Sequence, residues 1–168
     1  MKTKVFSVIS FLMISLFSSA QTTPFDSSPI FSIDLDKYLG KWYEIARLDH
    51  SFERGMDNVT AVYAMRDDGM IDVLNSGWKN GKFKKAHGKA RQPDPVNRSA
   101  HLEVSFFLSF FSDYNILMLD PEYQVVLVGS KSPKYLWILS RTPDVNDDIL
   151  GEYLEEADLR GYDTGALI

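Results

Sequence analysis

Apolar and polar residues alternate along most of residues 43–140, and this period of two predicts β-strands. Asp68-Gly69 and Asn80-Gly81 are typical of tight hairpin turns, whereas two prolines in Gln92–Arg98 indicate a loop. The alternating segments are residues 43–48, 58–66, 70–78, 82–90, 100–107, 114–119, 123–128 and 135–140. Eight strands joined mainly by short turns predict an antiparallel sandwich or a closed barrel rather than an α/β sheet.

The pattern changes after Pro143, where a single apolar stripe at helical spacing replaces the alternation. The stripe consists of Ile149, Tyr153, Leu154 and Ala157. Either Asp144 or Asn146 can cap its start, and Gly161 is expected to end it. A helix with one apolar stripe packs on the outside of a barrel. The remaining tail, 162–168, could add one more short strand.

The N-terminal residues have the organisation of a secretory signal peptide. Lys2 and Lys4 precede an apolar run, Val5–Phe17, and small residues lead to Ala20. A membrane span is the alternative, but the run is too short, since a crossing helix needs about 20 apolar residues. We therefore predict a signal peptide over 1–20, a flexible leader over 21–33 and one domain over 34–168. The protein is expected to be exported to the periplasm or secreted.

Composition excludes several classes of function. The 168 residues carry 18 basic and 23 acidic side chains, a net charge of -5, which argues against nucleic-acid binding. The chain has no cysteine, so disulfides, thiol catalysis and an acyl anchor at Gln21 are not expected. His50, His87 and His101 lack metal-ligand spacing, and we interpret the last two as surface residues. We expect no metal site, no cofactor and no enzymatic activity.

Three sequence blocks carry a resemblance to the lipocalin family. They are Gly40-Lys41-Trp42 before the first strand, Asp120-Pro121-Glu122-Tyr123, and Leu136–Arg141 with its terminal arginine. The segments Arg47–Gly55 and Val104–Phe107 are similar to the bacterial outer-membrane lipoprotein branch, whose members resemble apolipoprotein D. The resemblance implies an all-β fold, an eight-stranded antiparallel up-and-down β-barrel with one C-terminal α-helix packed outside.

The same resemblance implies a function. Members of this branch bind fatty acids or lysophospholipids, serve membrane maintenance, are anchored to the outer membrane and can form homodimers. This chain lacks the cysteine that carries the acyl anchor. We therefore expect no Cys-linked anchor, and any association with the outer membrane must be non-covalent. The expected function is non-catalytic binding, storage or transport of such a lipid. The alternatives are a lipocalin-type enzyme and a protein-interaction module that uses the barrel mouth.

Trp42 and Arg141 are predicted to close one end of the barrel as a structural plug. A guanidinium stacked on an indole fills a gap and can bind nearby carbonyls. The alternative is that Arg141 holds a ligand carboxylate. The family arginine lies at the closed end beside the tryptophan, which favours the structural role.

The barrel lining follows from strand alternation, starting from Arg141. The predicted lipid-binding residues are Tyr63, Met65, Val73, Asn75, Val104, Phe106, Tyr114, Ile116, Met118, Trp137 and Leu139. Apolar walls with a few polar groups are typical of a ligand site, although such side chains can also fill a small barrel. Small Ala61 and Gly77 on the lining favour space for a ligand. The resembled branch has a similar tyrosine, asparagine and tryptophan in its pocket.

Three features are expected at the open end of the barrel. His50 and Phe52 lie in the first long loop and could cover the opening. Phe107, Leu108, Phe110 and Phe111 could contact a membrane, contact a second subunit or pack as a lid. The basic residues of the third and fourth strands are either simply solvated or attract anionic headgroups; they are Lys79, Lys82, Lys84, Lys85, Lys89 and Arg91.

Overall fold

Eight antiparallel strands form a closed barrel in the computed structural model, which describes residues 24–168. Each strand is hydrogen-bonded to the next, and the eighth returns to the first, as predicted. The strands are β1 (Gly40–Arg47), β2 (Met56–Met65), β3 (Ile71–Lys79), β4 (Lys82–Arg91), β5 (His101–Ser105), β6 (Ser112–Leu119), β7 (Val125–Gly129) and β8 (Leu136–Ser140). The predicted signal peptide lies outside the described residues.

Two α-helices accompany the barrel within residues 24–168. The predicted C-terminal helix, α2 (Asp147–Leu159), is capped by Asn146, whose side chain accepts a 2.8 Å hydrogen bond from the backbone of Asp148. Gly161, with φ of 80°, follows its end. A second, short helix was not predicted: α1 (Leu35–Tyr38) directly precedes β1. A 3-10 turn, Thr164–Ala166, follows α2.

The apolar residues separate into an inner and an outer cluster. The inner cluster lies inside the barrel and includes Tyr38, Trp42, Tyr63, Ile71, Val73, Leu102, Ile116, Val126, Val128 and Leu139. The outer cluster lies between the barrel and α2 and includes Leu117, Leu127, Leu136, Ile138, Tyr153 and Ala157. Leu136 and Ile138 thus have the helical cover that alternation predicts for them. Ile149 of the predicted stripe is exposed, and Leu150 packs on the outer cluster.

Three irregular positions interrupt the alternation of inner and outer residues. The pairing register shifts between Glu44 and Ala46 in β1, between Asp57 and Thr60 in β2, and between Ile116 and Met118 in β6. A bulge inserts one extra residue, so every side chain beyond it changes face.

Both terminal segments are attached to the barrel. Residues 24–33 contain no helix or strand, but the backbone N–H of Ile30 donates to the carbonyl of Ile116 and that of Ile33 donates to Ser99 Oγ, both at 2.8 Å. At the other end, Leu167 forms an isolated bridge with Leu48, so the tail adds one pairing rather than a full strand. Within 24–168, neither helix is long and apolar enough to span a membrane.

Candidate functional site

The closed end of the barrel is sealed by Trp42 and Arg141, the predicted pair. Arg141 Cζ lies 3.7 Å from the centre of the Trp42 ring, which is fully buried. The guanidinium donates hydrogen bonds of 2.7–3.2 Å to the carbonyls of Lys37, Tyr38, Lys41 and Tyr123. Burial lowers the pKa of Arg141 from its usual value. Because these carbonyls occupy its donors, the geometry favours a structural role over a ligand clamp.

A floor of three tyrosines lies on this seal. The hydroxyl of Tyr114 is 2.6 Å from that of Tyr38 and 3.0 Å from that of Tyr63. Burial raises the pKa of all three hydroxyls well above the usual value, so the floor is uncharged. Tyr63 and Tyr114 were predicted site residues, whereas Tyr38 was missed. Its position four residues before Trp42, in a short helix, carries no alternation signal.

Apolar side chains form the wall above the floor. The structure places seven predicted lining residues in or against the inner cluster: Tyr63, Val73, Val104, Tyr114, Ile116, Trp137 and Leu139. Asn75 lies in the same wall, paired with Ala61 and Ala86 of the neighbouring strands. Its Oδ1 atom is buried without a hydrogen-bond partner. An unsatisfied buried acceptor is costly, which marks this position for a ligand donor or a water molecule.

The other three predicted lining residues differ from this group. Met65 pairs with the inner residue Ile71 but is 46% exposed, because β2 continues past the closed end beyond the Tyr63–Gly40 pair. The Phe106 ring lies against the side of Gly88 that faces inward with Val73, so Phe106 keeps the predicted face, although it is 42% exposed. Met118 packs on the outer cluster, because the β6 bulge reverses its face. Among these three residues, alternation predicts the wrong face for Met118.

The open end contains a buried group of polar residues, which we call the mouth cluster: Glu44, Arg47, His50, Glu53 and Trp137. Arg47 donates to the Glu44 carboxylate through Nη1, and Nη2 donates to the carbonyls of Glu53 and Met56 at 3.2 and 3.1 Å. Glu53 Oε2 accepts a 3.0 Å hydrogen bond from Trp137 Nε1. His50 Nε2 lies 3.0 Å from the same oxygen, without hydrogen-bond geometry.

The mouth cluster is electrostatically strained. Burial, and then the neighbouring Glu53, raise the pKa of Glu44, whereas Arg47 and His50 lower it, and the net pKa is about 7. Arg47 and His50 are about 95% buried, yet Arg47 Nε and both ring nitrogens of His50 lack hydrogen-bond partners. Alternation places Glu44 inside, but the β1 bulge that also turns Arg47 inward could not be read from the sequence.

The loop between β1 and β2 covers the mouth cluster, as predicted for His50 and Phe52. The Phe52 ring stacks on His50 at 3.8 Å, and His50 lies 5.1 Å from the Trp137 ring. Phe52 is itself exposed to solvent. An open groove of about 410 Å³ lies on the outer side of this loop, against the β7–β8 turn and the C-terminal segment. The loop therefore forms an aromatic cover between solvent and the barrel interior.

Exposed aromatic and basic residues surround the open end. Phe107, Leu108 and Phe110 project from the β5–β6 loop, and Trp78 and Phe83 pair at the tip of the β3–β4 hairpin. Residues 82–87 of β4 pair only with β3, because β5 begins its pairing with β4 at Lys89. The hairpin therefore extends beyond the barrel and presents Lys82, Lys84 and Lys85.

His101 does not lie on the surface, contrary to the prediction. It is buried on the outer face of β5, with Nε2 2.8 Å from Asp113 Oδ1. Donor atoms of His101, Glu103 and Asp113 lie within 4.8 Å of one another, as metal ligands do. Arg91 already pairs with Glu103 at 2.6 Å and Lys131 with Asp113 at 2.9 Å. The expected lack of a metal site stays a prediction.

A sealed base, an apolar wall and a covered polar mouth define a barrel of the type that binds small hydrophobic ligands. Residues 33–168 match the model of the lipocalin-like domain, and the chain belongs to the lipocalin family, whose members bind and carry such ligands. The outer membrane lipoprotein Blc of Vibrio cholerae is 47% identical over 150 residues, which cover 86% of each chain.

More distant similarities include one further sequence relative and one solved structure. Apolipoprotein D of Rattus norvegicus is 35% identical over 120 residues, covering 67% of this chain and 62% of its own. The crystal structure of insecticyanin from the tobacco hornworm Manduca sexta superposes with a TM-score of 0.70. That likeness covers 86% of this chain and 85% of insecticyanin at 20% identity, and it supports the fold alone.

Proposed function

We propose that the protein binds and carries a single-chain lipid, a fatty acid or a lysophospholipid, inside its barrel without catalysing a reaction. The observation that carries the proposal is the continuous inner wall between the tyrosine floor and the mouth cluster. Burial of each methylene group contributes about 0.8 kcal/mol before entropic losses, so an acyl chain can supply the affinity.

The two ends of the interior support one orientation of such a lipid. The tyrosine hydroxyls at the floor bind one another, so the floor offers no charge to a headgroup. Arg47 and His50 at the mouth retain unpartnered polar atoms. We therefore propose that the acyl chain points to the floor and the headgroup stays at the mouth. Recognition, rather than catalysis, fits carboxyl groups that Arg47 and Trp137 already engage.

We further propose that the protein acts in the cell envelope, in membrane maintenance. The Vibrio cholerae and Escherichia coli relatives are both named outer membrane lipoproteins. The exposed aromatic side chains at the open end, together with the lysines of β4, support peripheral contact between this end and an anionic membrane. Pairing into a homodimer stays a prediction.

Tryptophan fluorescence tests the lipid site. Trp137 lies in the mouth cluster, Trp42 is sealed at the base, and Trp78 is exposed on the hairpin. Titration with a lysophospholipid should change the fluorescence of the wild type and of Trp78→Phe, but the change should vanish in Trp137→Phe.

Asn75→Leu should weaken binding of lipids with a polar group deep in the barrel and leave simple fatty acids nearly unaffected. A full signal in Trp137→Phe, or no lipid binding at micromolar concentration, would contradict the assignment.

A further inference from the structure

Two buried carboxyl groups lie in the mouth cluster, Glu44 beside the Arg47 guanidinium and Glu53 beside the His50 ring. Resting on the proposed lipid-carrier function, we propose that Glu44 and Glu53 select lipids whose headgroup carries a primary ammonium beside a phosphate, an ethanolamine-type zwitterion. In this proposal Glu44 and Glu53 determine which headgroup binds at the mouth of the barrel.

The charges of the mouth cluster favour the entry of a cation. Arg47 is the single cationic side chain that hydrogen-bonds within the cluster, and it pairs with Glu44. The Glu53 carboxylate accepts a hydrogen bond from a neutral donor, Trp137 Nε1, and has no arginine or lysine partner; His50 Nε2 lies 3.0 Å away without hydrogen-bond geometry. An uncompensated buried carboxylate is costly, and a cation that enters the site relieves the cost. The raised pKa of Glu44, to which Glu53 contributes, reports the same imbalance.

The hydrogen-bonding atoms of the cluster specify the kind of headgroup as well as its charge. A primary ammonium has three N–H donors. The carboxylates of Glu44 and Glu53, which each accept one side-chain hydrogen bond, have further lone pairs for such donors, and a neutral His50 offers one ring nitrogen as a third acceptor. Arg47 Nε is a buried donor that needs an acceptor, and a phosphate oxygen supplies one. A trimethylammonium head has no N–H and satisfies none of these acceptors. An anionic head supplies no cation to the Glu53 carboxylate and competes with Glu44 for Arg47.

Competition among lysophospholipids that share one acyl chain tests the inference. At pH 8 we expect the wild type to bind the ethanolamine lipid about tenfold more tightly than the glycerol lipid, the effect of one charge-assisted hydrogen bond. The choline lipid should rank between them. Glu53→Gln and Glu44→Gln should each reduce this preference to less than about threefold. Glu53→Gln keeps an oxygen for Trp137 Nε1, so the mouth can retain its structure.

Glu122→Gln is the matched control, because it makes the same change of charge at an exposed turn. It should keep the full preference. A pH series adds a signature that misfolding does not produce. As Glu44 ionises between pH 6 and 8, beside Arg47, His50 and Glu53, the ethanolamine lipid should bind more tightly and the glycerol lipid less tightly.

The outcomes separate this inference from the function on which it rests. Equal affinities for the three headgroups, with a fatty acid still bound, would overturn the inference alone. An ethanolamine preference that survives in both Glu44→Gln and Glu53→Gln would also overturn it. If none of the lipids binds, both the selectivity and the lipid-carrier proposal fail.

Discussion

The closed and open ends of the barrel use similar side chains with opposite results. At the closed end, Arg141 stacks on Trp42 and donates to four backbone carbonyls. At the open end, Arg47 is buried more deeply than Arg141, yet its Nε has no partner. An arginine whose donors are occupied by backbone carbonyls stabilises a fold. One that keeps a free buried donor can still bind an acceptor from a ligand, and this is the role that we propose for Arg47.

The largest effect on stability is expected from a substitution at the closed end. Trp42→Ala should lower the free energy of unfolding by about 3–5 kcal/mol, because it removes a fully buried ring and leaves a cavity. Trp78→Ala, at the exposed hairpin of the open end, should change it by less than about 1 kcal/mol. Urea denaturation monitored by circular dichroism measures both. Similar losses for the two variants would show that the ends do not differ in this way.

The next effect concerns the open end and depends on pH. The pKa of Glu44 is about 7 in the folded chain, against an ordinary value of 4.5. Between these values the folded state holds a proton that the unfolded state has lost, so stability falls as the pH rises. From pH 4.5 to 8, the wild type should lose about 3 kcal/mol relative to Glu44→Gln. Parallel stability curves for the two proteins, from denaturation at several pH values, would contradict this account.

The smallest effect sharpens the description of the floor. Tyr114 shares hydrogen bonds with two hydroxyls, whereas Tyr38 and Tyr63 each share one of them. Tyr114→Phe should therefore cost about 1–3 kcal/mol, and Tyr38→Phe about 1 kcal/mol. Thermal unfolding of the single variants gives the order. If Tyr38→Phe lowers stability more than Tyr114→Phe does, the Tyr38 hydroxyl contributes most to the hydrogen-bond network.

Local signals in the sequence were sufficient for most of the fold. Gly69 and Gly81 adopt the positive φ that their hairpin turns require, so the Asp-Gly and Asn-Gly pairs located both turns. The lining residues in the middle of strands, such as Val73 and Ile116, follow from alternation alone. The four-residue helix α1 was missed because one turn is too short for a periodic pattern.

The candidate site was less accessible to the same reasoning. Bulges in β1 and β6 turn Arg47 inward and Met118 outward, and neither bulge has a glycine or proline to announce it. His50 and Glu53 belong to a loop, where alternation predicts no direction. The polar residues of the site can therefore be located only from the tertiary structure, whereas the apolar residues can be predicted from the alternation within the strands.

The hairpin of β3 and β4 has a consequence for self-association. Beyond the barrel, residues 82–87 of β4 pair on one side only, which leaves backbone donors and acceptors along a free edge. Such an edge is a template for another strand, and natural proteins protect it with charge. Lys82, Lys84 and Lys85 provide that protection here, through mutual repulsion between copies. Replacing them with threonine would convert the most exposed strand of the molecule into a site for intermolecular β-sheet growth.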